Sequence, residues 1–185
     1  VPIGTSDYSS VITSMPKDID AIVSSLSGTD VINFITQMHR YGLKIDFLGG
    51  TTSLTASVLS TAGELIEGAV AASIWTNMSD TEAFKSLDKR FRDLRGRPVP
   101  LFTGLYYRAA KVAQIAIQKA GGNVEDQKAF RKVLQSIDWQ GPVSRITFDD
   151  YHQAVMDVYI NQVKYVDGQW RNVPIKKYSQ VSQFW

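Results

Sequence analysis

Any chemistry this chain performs must come from two histidines, scattered carboxylates and a few hydroxyl- and glycine-rich stretches. There is no cysteine, which excludes thiolate metal sites, disulfides and cysteine nucleophiles together. His39 lies between Met38 and Arg40 on a helical pattern, the context of a structural or surface histidine. His152 follows Asp149-Asp150. A metal centre needs about three convergent protein ligands, and this trio fits a helix cap or a solvated loop better. The Gly-x-Ser-x-Gly elbow is absent, and no Ser-His-Asp set is legible from spacing. The phosphate loop Gly-x-x-x-x-Gly-Lys and the dinucleotide fingerprint Gly-x-Gly-x-x-Gly are absent too. The carboxylates fall along helical stretches, which suits surface ion pairs rather than acid–base catalysis. The sequence thus predicts no enzyme, no metal and no cofactor.

What remains are two polar stretches: Ser24-Ser25-Leu26-Ser27-Gly28-Thr29-Asp30 and Gly49-Gly50-Thr51-Thr52-Ser53. Glycine lets backbone approach a ligand closely, and a helix N-terminus after such a loop favours anions and polarised oxygens. Either stretch also serves simply as a strand-to-helix turn with good capping residues.

The elements around them explain why they matter. Asp20 to Leu26 is a short apolar run of the buried parallel-strand kind. Val31, Phe34, Ile35 and Met38 then recur at helical spacing, and Gly42 closes that helix. Ile45 to Leu48 is the next strand, Thr55 to Ala62 a weaker helix, and Glu67 to Trp75 a third strand. An earlier helix runs from Tyr8 to Met15 and stops at Pro16, with Ser6 or Asp7 as its cap. Alternating strands and helices predict a parallel α/β sheet, in which ligands sit beyond the carboxyl ends of the strands. Both polar stretches lie at such ends.

The second part of the chain reads differently. Helices are expected over Thr81–Leu94, Thr103–Ala120 and Val124–Ser136. Strands follow over Pro142–Phe148 and Val155–Val166, ending in the turn Asp167-Gly168. The tail from Trp170 to Trp185 is basic and aromatic with no clear period.

Composition sets the outer bounds. The chain has 185 residues, 44% hydrophobic and 21% charged, and a formal charge of +2. That is ordinary globular composition, and the charge is too small to argue for nucleic acid. No apolar run is long enough to span a membrane. Val1 to Thr5 lacks the basic cluster and apolar core of a signal peptide, so either the protein is not exported or its beginning lies outside this chain.

The order of motifs resembles a known family. Pro2-x-Gly-Thr-x-Asp7-Tyr8-Ser9, Asp20-Ala-Ile, Gly28-x-Asp30, Phe34-x-x-Gln37, Tyr41-Gly42-Leu43, Phe47-Leu48-Gly49-Gly50 and Glu67-Gly68 are similar to the second lobe of type I periplasmic solute-binding proteins of the branched-chain amino-acid ABC transporter family. Tyr106-Tyr107 with Ala109-Ala110, Gly141-Pro142-Val143 through Phe148-Asp149, and Val163 to Gly168 continue the likeness along nearly the whole chain.

The resemblance implies two α/β lobes of parallel sheets flanked by helices, closing on a ligand by hinge motion, with the first lobe incomplete here. Residues 1–75 would form most of lobe 2 and 76–150 the returning part of lobe 1. Residues 151–185 would supply closing strands and a tail back on lobe 2. Hinge crossings are implied near Trp75-Thr76-Asn77 and Asp149-Asp150-Tyr151, with an earlier crossing before Val1. The chain would then be about half of the usual two-domain length. Ligand contacts are implied at Ser27 or Gly28 and at Gly50, Thr51 and Thr52. In amino-acid binders of the family an acidic residue commonly holds the ligand's ammonium at the position of Thr51, and a hydroxyl cannot replace that charge. A carboxylic acid, an aromatic acid or an amide is therefore at least as plausible a cargo as an amino acid. The family's main carboxylate grip comes from the first lobe. The implied partners are a small-molecule solute and the membrane permease of an ABC importer, in the periplasm. A ligand-sensing domain on the same fold is the alternative. Unpaired edges and apolar surface left by an incomplete lobe would favour self-association.

Overall fold

A computed structural model describes residues 1–184. They form two compact units, one of Val1–Ser73 with Ile160–Lys176, the other of Ile74–Tyr159 with the chain from Lys177 onward.

The first unit is the α/β part. Helix α1 (Ser9–Thr13) precedes β1 (Ala21–Ser24), α2 (Thr29–Arg40), β2 (Asp46–Gly49), α3 (Ala56–Ala62), a 3-10 turn at Gly63–Ile66 and β3 (Val70–Ser73). Strands β1, β2 and β3 pair in parallel, with Ser24 opposite Gly49 and Gly49 opposite Ala71. Helix α2 buries Val31, Phe34, Ile35 and Met38, the stripe expected from spacing. It ends in a Schellman motif: Gly42 N–H donates to His39 O (2.9 Å) and Leu43 N–H to Met38 O (3.1 Å). Gly42 has φ 72°, a left-handed conformation that glycine adopts without the steric cost of a Cβ. Its start differs from expectation. No side chain caps it; Gly28 occupies the cap at φ 55° and offers its backbone carbonyl to Ile32 N–H (3.3 Å).

Two long strands, β6 (Ala154–Val166) and β7 (Gln169–Val181), have parts in both units. They are joined by Asp167 (φ 50°) and Gly168 (φ 76°), the left-handed pair that a two-residue hairpin requires. In the first unit Val163 exchanges two backbone hydrogen bonds with β3's neighbourhood, to Ala69 O (2.8 Å) and from Gly68 N–H (2.9 Å). Trp170 covers Gly63, where an added Cβ would lie 2.2 Å from the indole. Asn172 Nδ2 donates to Leu54 O at 2.6 Å. The tail that showed no period is thus an ordered strand. Its burial does not alternate, so no period of two marks it, and Pro174 disguises it further. Pairing only with β6 among the described residues, β7 is an edge strand, the kind of strand that tolerates proline.

The second unit holds α4 (Glu82–Arg95), α5 (Leu101–Lys119), α6 (Gln127–Gln135), β4 (Trp139–Gln140) and β5 (Arg145–Phe148). Its core is Trp75, Phe84, Val99 and Val143, with Leu87, Phe91, Leu101 and Leu105 against it. Thr81 caps α4, accepting from Phe84 N–H at 3.1 Å, and Gly96 ends it at φ 66°. Strand β5 pairs antiparallel with β4 and β6, so the parallel arrangement read from the sequence belongs to β1–β3. The strand expected from Pro142 begins only at Arg145.

Candidate functional site

The parallel strands β1, β2 and β3 end at Ser24, Gly49 and Ser73, side by side in the sheet. The loops leaving β1 and β2 are therefore neighbours. One residue joins them. Ser53 is 1% exposed; its Oγ donates to Leu26 O at 2.7 Å and accepts from Gly50 N–H at 3.3 Å. The close fit continues at Gly49, where an added Cβ would come within 2.7 Å of Ser53 Cβ. Thr51 is anchored as well, its hydroxyl donating to Ala72 O at 3.2 Å beside the end of β3. Ser24 Oγ accepts from Leu26 N–H at 3.1 Å, which bends the chain out of β1.

The structure thus gathers Ser27, Gly28, Gly50, Thr51 and Thr52 at one end of one parallel sheet. Ser27 and Gly50 are exposed, and Gly28, Thr51 and Thr52 half-buried. The hydroxyls of Ser27 and Thr52 make no hydrogen bond among the described residues, while that of Thr51 has its proton engaged and its lone pairs free. The carboxylate nearest in sequence is Asp30, which is 9% exposed and accepts from Gly4 N–H at 3.1 Å. The rim can donate and accept neutral hydrogen bonds, and Asp30, the one acidic residue of these stretches, is buried rather than on the rim.

The other candidate residues lie elsewhere. Trp75 and Thr76 are buried, and Asn77 is exposed, its Oδ1 accepting from Trp75 Nε1 at 2.7 Å. Asp149 Oδ1 accepts from Tyr151 N–H (3.0 Å) and Gln153 N–H (2.9 Å), shaping the corner between β5 and β6. Asp150 and Tyr151 are exposed there, with the Tyr151 ring 4.8 Å from that of Phe184. His152 sits in the same corner at φ 68°, its Nδ1 2.8 Å from Gln135 Nε2. Among the described residues no three His, Cys, Asp or Glu side chains converge to hold a metal.

One charged group escaped the sequence reading. Arg108, on α5, is only 5% exposed. Its Nη1 donates to Ile74 O at 3.0 Å and lies 3.6 Å from Met156 Sδ, and its guanidinium sits 5.7 Å from the Trp75 ring centroid. Burial pushes its pKa down, opposed by Tyr159, and no carboxylate pairs with it among the described residues. Gly104, one turn earlier, makes room for Trp75: a Cβ there would lie 2.3 Å from the indole. The signal was present in the sequence, since Arg108 shares a helical face with Leu101, Leu105 and Val112.

The site is a sheet end lined with glycines and hydroxyls. The profile of the periplasmic binding protein family matches residues 1–169, and the chain belongs to that family. Solved structures agree on the fold. An ABC transporter substrate-binding protein from Sphaerobacter thermophilus aligns with TM-score 0.87 and 22% identity over 97% of this chain and 51% of its own. A solute-binding protein from R. palustris in complex with 4-hydroxybenzoate gives 0.88 and 18% over 100% and 52%. A leucine-binding protein from Thermotoga maritima gives 0.82 and 20% over 95% and 49%. The chain thus spans about half the length of each. No curated protein sequence matches it significantly.

Proposed function

We propose that this chain is part of the solute-binding component of an ABC importer, and that its β1 and β2 loops form one wall of the solute site. The observation that carries this reading is the Ser53 link, which holds two glycine- and hydroxyl-rich loops in fixed relation at the carboxyl ends of adjacent parallel strands. Similar proteins bound to 4-hydroxybenzoate, to benzoate and to isoleucine support a small organic solute. The solute is bound unchanged and passed to a membrane permease outside the cytoplasm. In this reading the hinge lies around Trp75–Asn77, next to the boundary between the two units at Ser73–Ile74, whereas Asp149–Tyr151 falls inside the second unit, whose next boundary is at Tyr159–Ile160; the first lobe supplies the opposite wall.

The rim favours a carboxylic acid over an α-amino acid. A ligand ammonium needs a carboxylate or several carbonyls, and the one carboxylate of these stretches, Asp30, is buried with its Oδ2 accepting from Gly4 N–H. Neutral hydroxyls and loop amides suit a carboxylate or a phenol. Titration calorimetry with benzoate, 4-hydroxybenzoate and isoleucine tests this. Benzoates binding at least tenfold tighter than isoleucine is the expected result. Isoleucine binding with benzoate silent would overturn the cargo assignment.

A further inference from the structure

The chain passes between its two units after Ser73, after Tyr159 and after Lys176. One buried side chain of the second unit meets the first two of these crossings. Arg108, 5% exposed on α5, donates from Nη1 to the carbonyl of Ile74 at 3.0 Å, the residue with which the second unit begins. Its guanidinium sits over the neighbouring Trp75, 5.7 Å from the ring centroid. The same Nη1 lies 3.6 Å from Met156 Sδ, on β6 shortly before that strand leaves the second unit at Tyr159, and its charge also interacts with Tyr159 itself. A planar guanidinium can donate from its edge while its face lies on a ring, with the apolar stem packed in the core.

Further bonds hold the same stretches to the second unit. Trp75 packs with Phe84, Val99 and Val143, and its Nε1–H donates to Asn77 Oδ1 at 2.7 Å. Thr76 Oγ1 accepts from Met78 N–H at 3.1 Å. On β6 the Tyr159 hydroxyl donates to Val143 O at 2.5 Å, and Asp157 N–H donates to Ser144 Oγ at 2.8 Å. Asp157 carries the hold to the third crossing. Its carboxylate accepts from Lys177 Nζ at 3.3 Å and from Gln180 N–H at 3.0 Å, just past Lys176. Before Ser73 and beyond Asn161 the bonds belong to the first unit: Ala72 O accepts from Thr51 Oγ1 at 3.2 Å, and Val163 pairs with the backbone of Gly68 and Ala69. The anchored stretches therefore meet at Ser73–Ile74 and at Ile160–Asn161. A buried guanidinium carries a desolvation cost that an apolar side chain of its size avoids, so what Arg108 adds is position rather than net stability.

We infer that Arg108 is a hinge clamp: it fastens Ile74 and Trp75 on one crossing and Met156 on another to α5, so that both stretches move with the second unit. The closing motion it serves rests on the solute-binding reading above. The clamp narrows the hinge of that reading to Ser73–Ile74 on the first crossing, with Trp75–Asn77 travelling as part of the second unit. The test uses no solute, so it stands or falls apart from that reading. The chain has four tryptophans and four methionines, few enough for every indole N–H and methyl to be resolved by NMR. Arg108→Leu keeps apolar volume and removes the donor. It should speed hydrogen exchange of the Trp75 indole about tenfold, the scale of one hydrogen bond from a charged group. It should also lower the order parameter of the Met156 methyl. The indoles of Trp139 and Trp170 and the methyls of Met15 and Met38 should not respond. Arg108→Gln, a milder change with a shorter reach, is read the same way should Arg108→Leu not fold. Unchanged mobility at Trp75 or at Met156 in a folded variant overturns the clamp. So does a rise shared equally by Trp139 and the amides of α4, which would make Arg108 an ordinary core residue.

Discussion

Removing one hydroxyl tests whether the two candidate loops act as a unit. Ser53→Ala deletes the bond to Leu26 O and the bond from Gly50 N–H, at 2.7 and 3.3 Å. Gly50 is exposed, so its amide returns to water at little cost. Leu26 is half-buried and its carbonyl loses its partner, which costs about 1–3 kcal/mol. Taking about 2 kcal/mol and a urea slope of about 2 kcal/mol per molar, the midpoint should fall by about 1 M. Gly49→Ala should act on the same link, because its Cβ would displace Ser53 from 2.7 Å away. The double variant should therefore cost less than the sum of the single ones. Urea unfolding followed by tryptophan fluorescence reads all three. An unchanged midpoint in Ser53→Ala, or strict additivity with Gly49→Ala, would refute the idea that Ser53 couples the loops.

Further outcomes follow from other contacts. Gly104→Ala should destabilise the second unit by about 1–3 kcal/mol, since its Cβ would enter the Trp75 ring; a denaturation midpoint within error of wild type would contradict the packing. Arg108→Ala should cost about 2–4 kcal/mol through lost packing and an orphaned Ile74 carbonyl. Arg108→Met, which keeps apolar volume without a desolvated charge, should cost clearly less, and equal losses would argue that charge is what matters. Tyr8 is 1% exposed and its hydroxyl has no partner among the described residues, so Tyr8→Phe should leave stability unchanged or raise it by about 1 kcal/mol, a drop in melting temperature being the adverse result. The Arg145 hydrogen bond holds the Asp138 carboxyl below its ordinary pKa. That contribution is complete above the unfolded value and fades as pH falls through the lowered folded one. Carboxyl NMR should show the Asp138 inflection move up in Arg145→Gln, and an inflection that stays put would remove the pair from the account.

Much of the first unit was legible because its signals are local. The stripe Val31, Phe34, Ile35, Met38 and the glycine at 42 define α2 without help from the rest of the chain. The same holds for the order β1, α2, β2, and hence for the position of the two polar loops. What stayed hidden depends on tertiary neighbours. Strand β7 is half-buried on both faces, so it carries no alternation. Ser53 reads as one more loop hydroxyl until the β1 loop is placed beside it. Arg108 shares an apolar helical face, but how its charge is held shows only once Ile74 and Trp75 close around it.

Two-dimensional ¹H–¹⁵N correlation spectra of the chain during a benzoate titration test the central claim most directly. The proposed solute wall predicts shifts that are saturable and concentrated in the amides of residues 24–28 and 49–53. Amides of α4 and α6 should stay fixed. Saturable shifts confined to the second unit, or none in either loop at the solubility limit of benzoate while Ser53 remains folded in place, would contradict it.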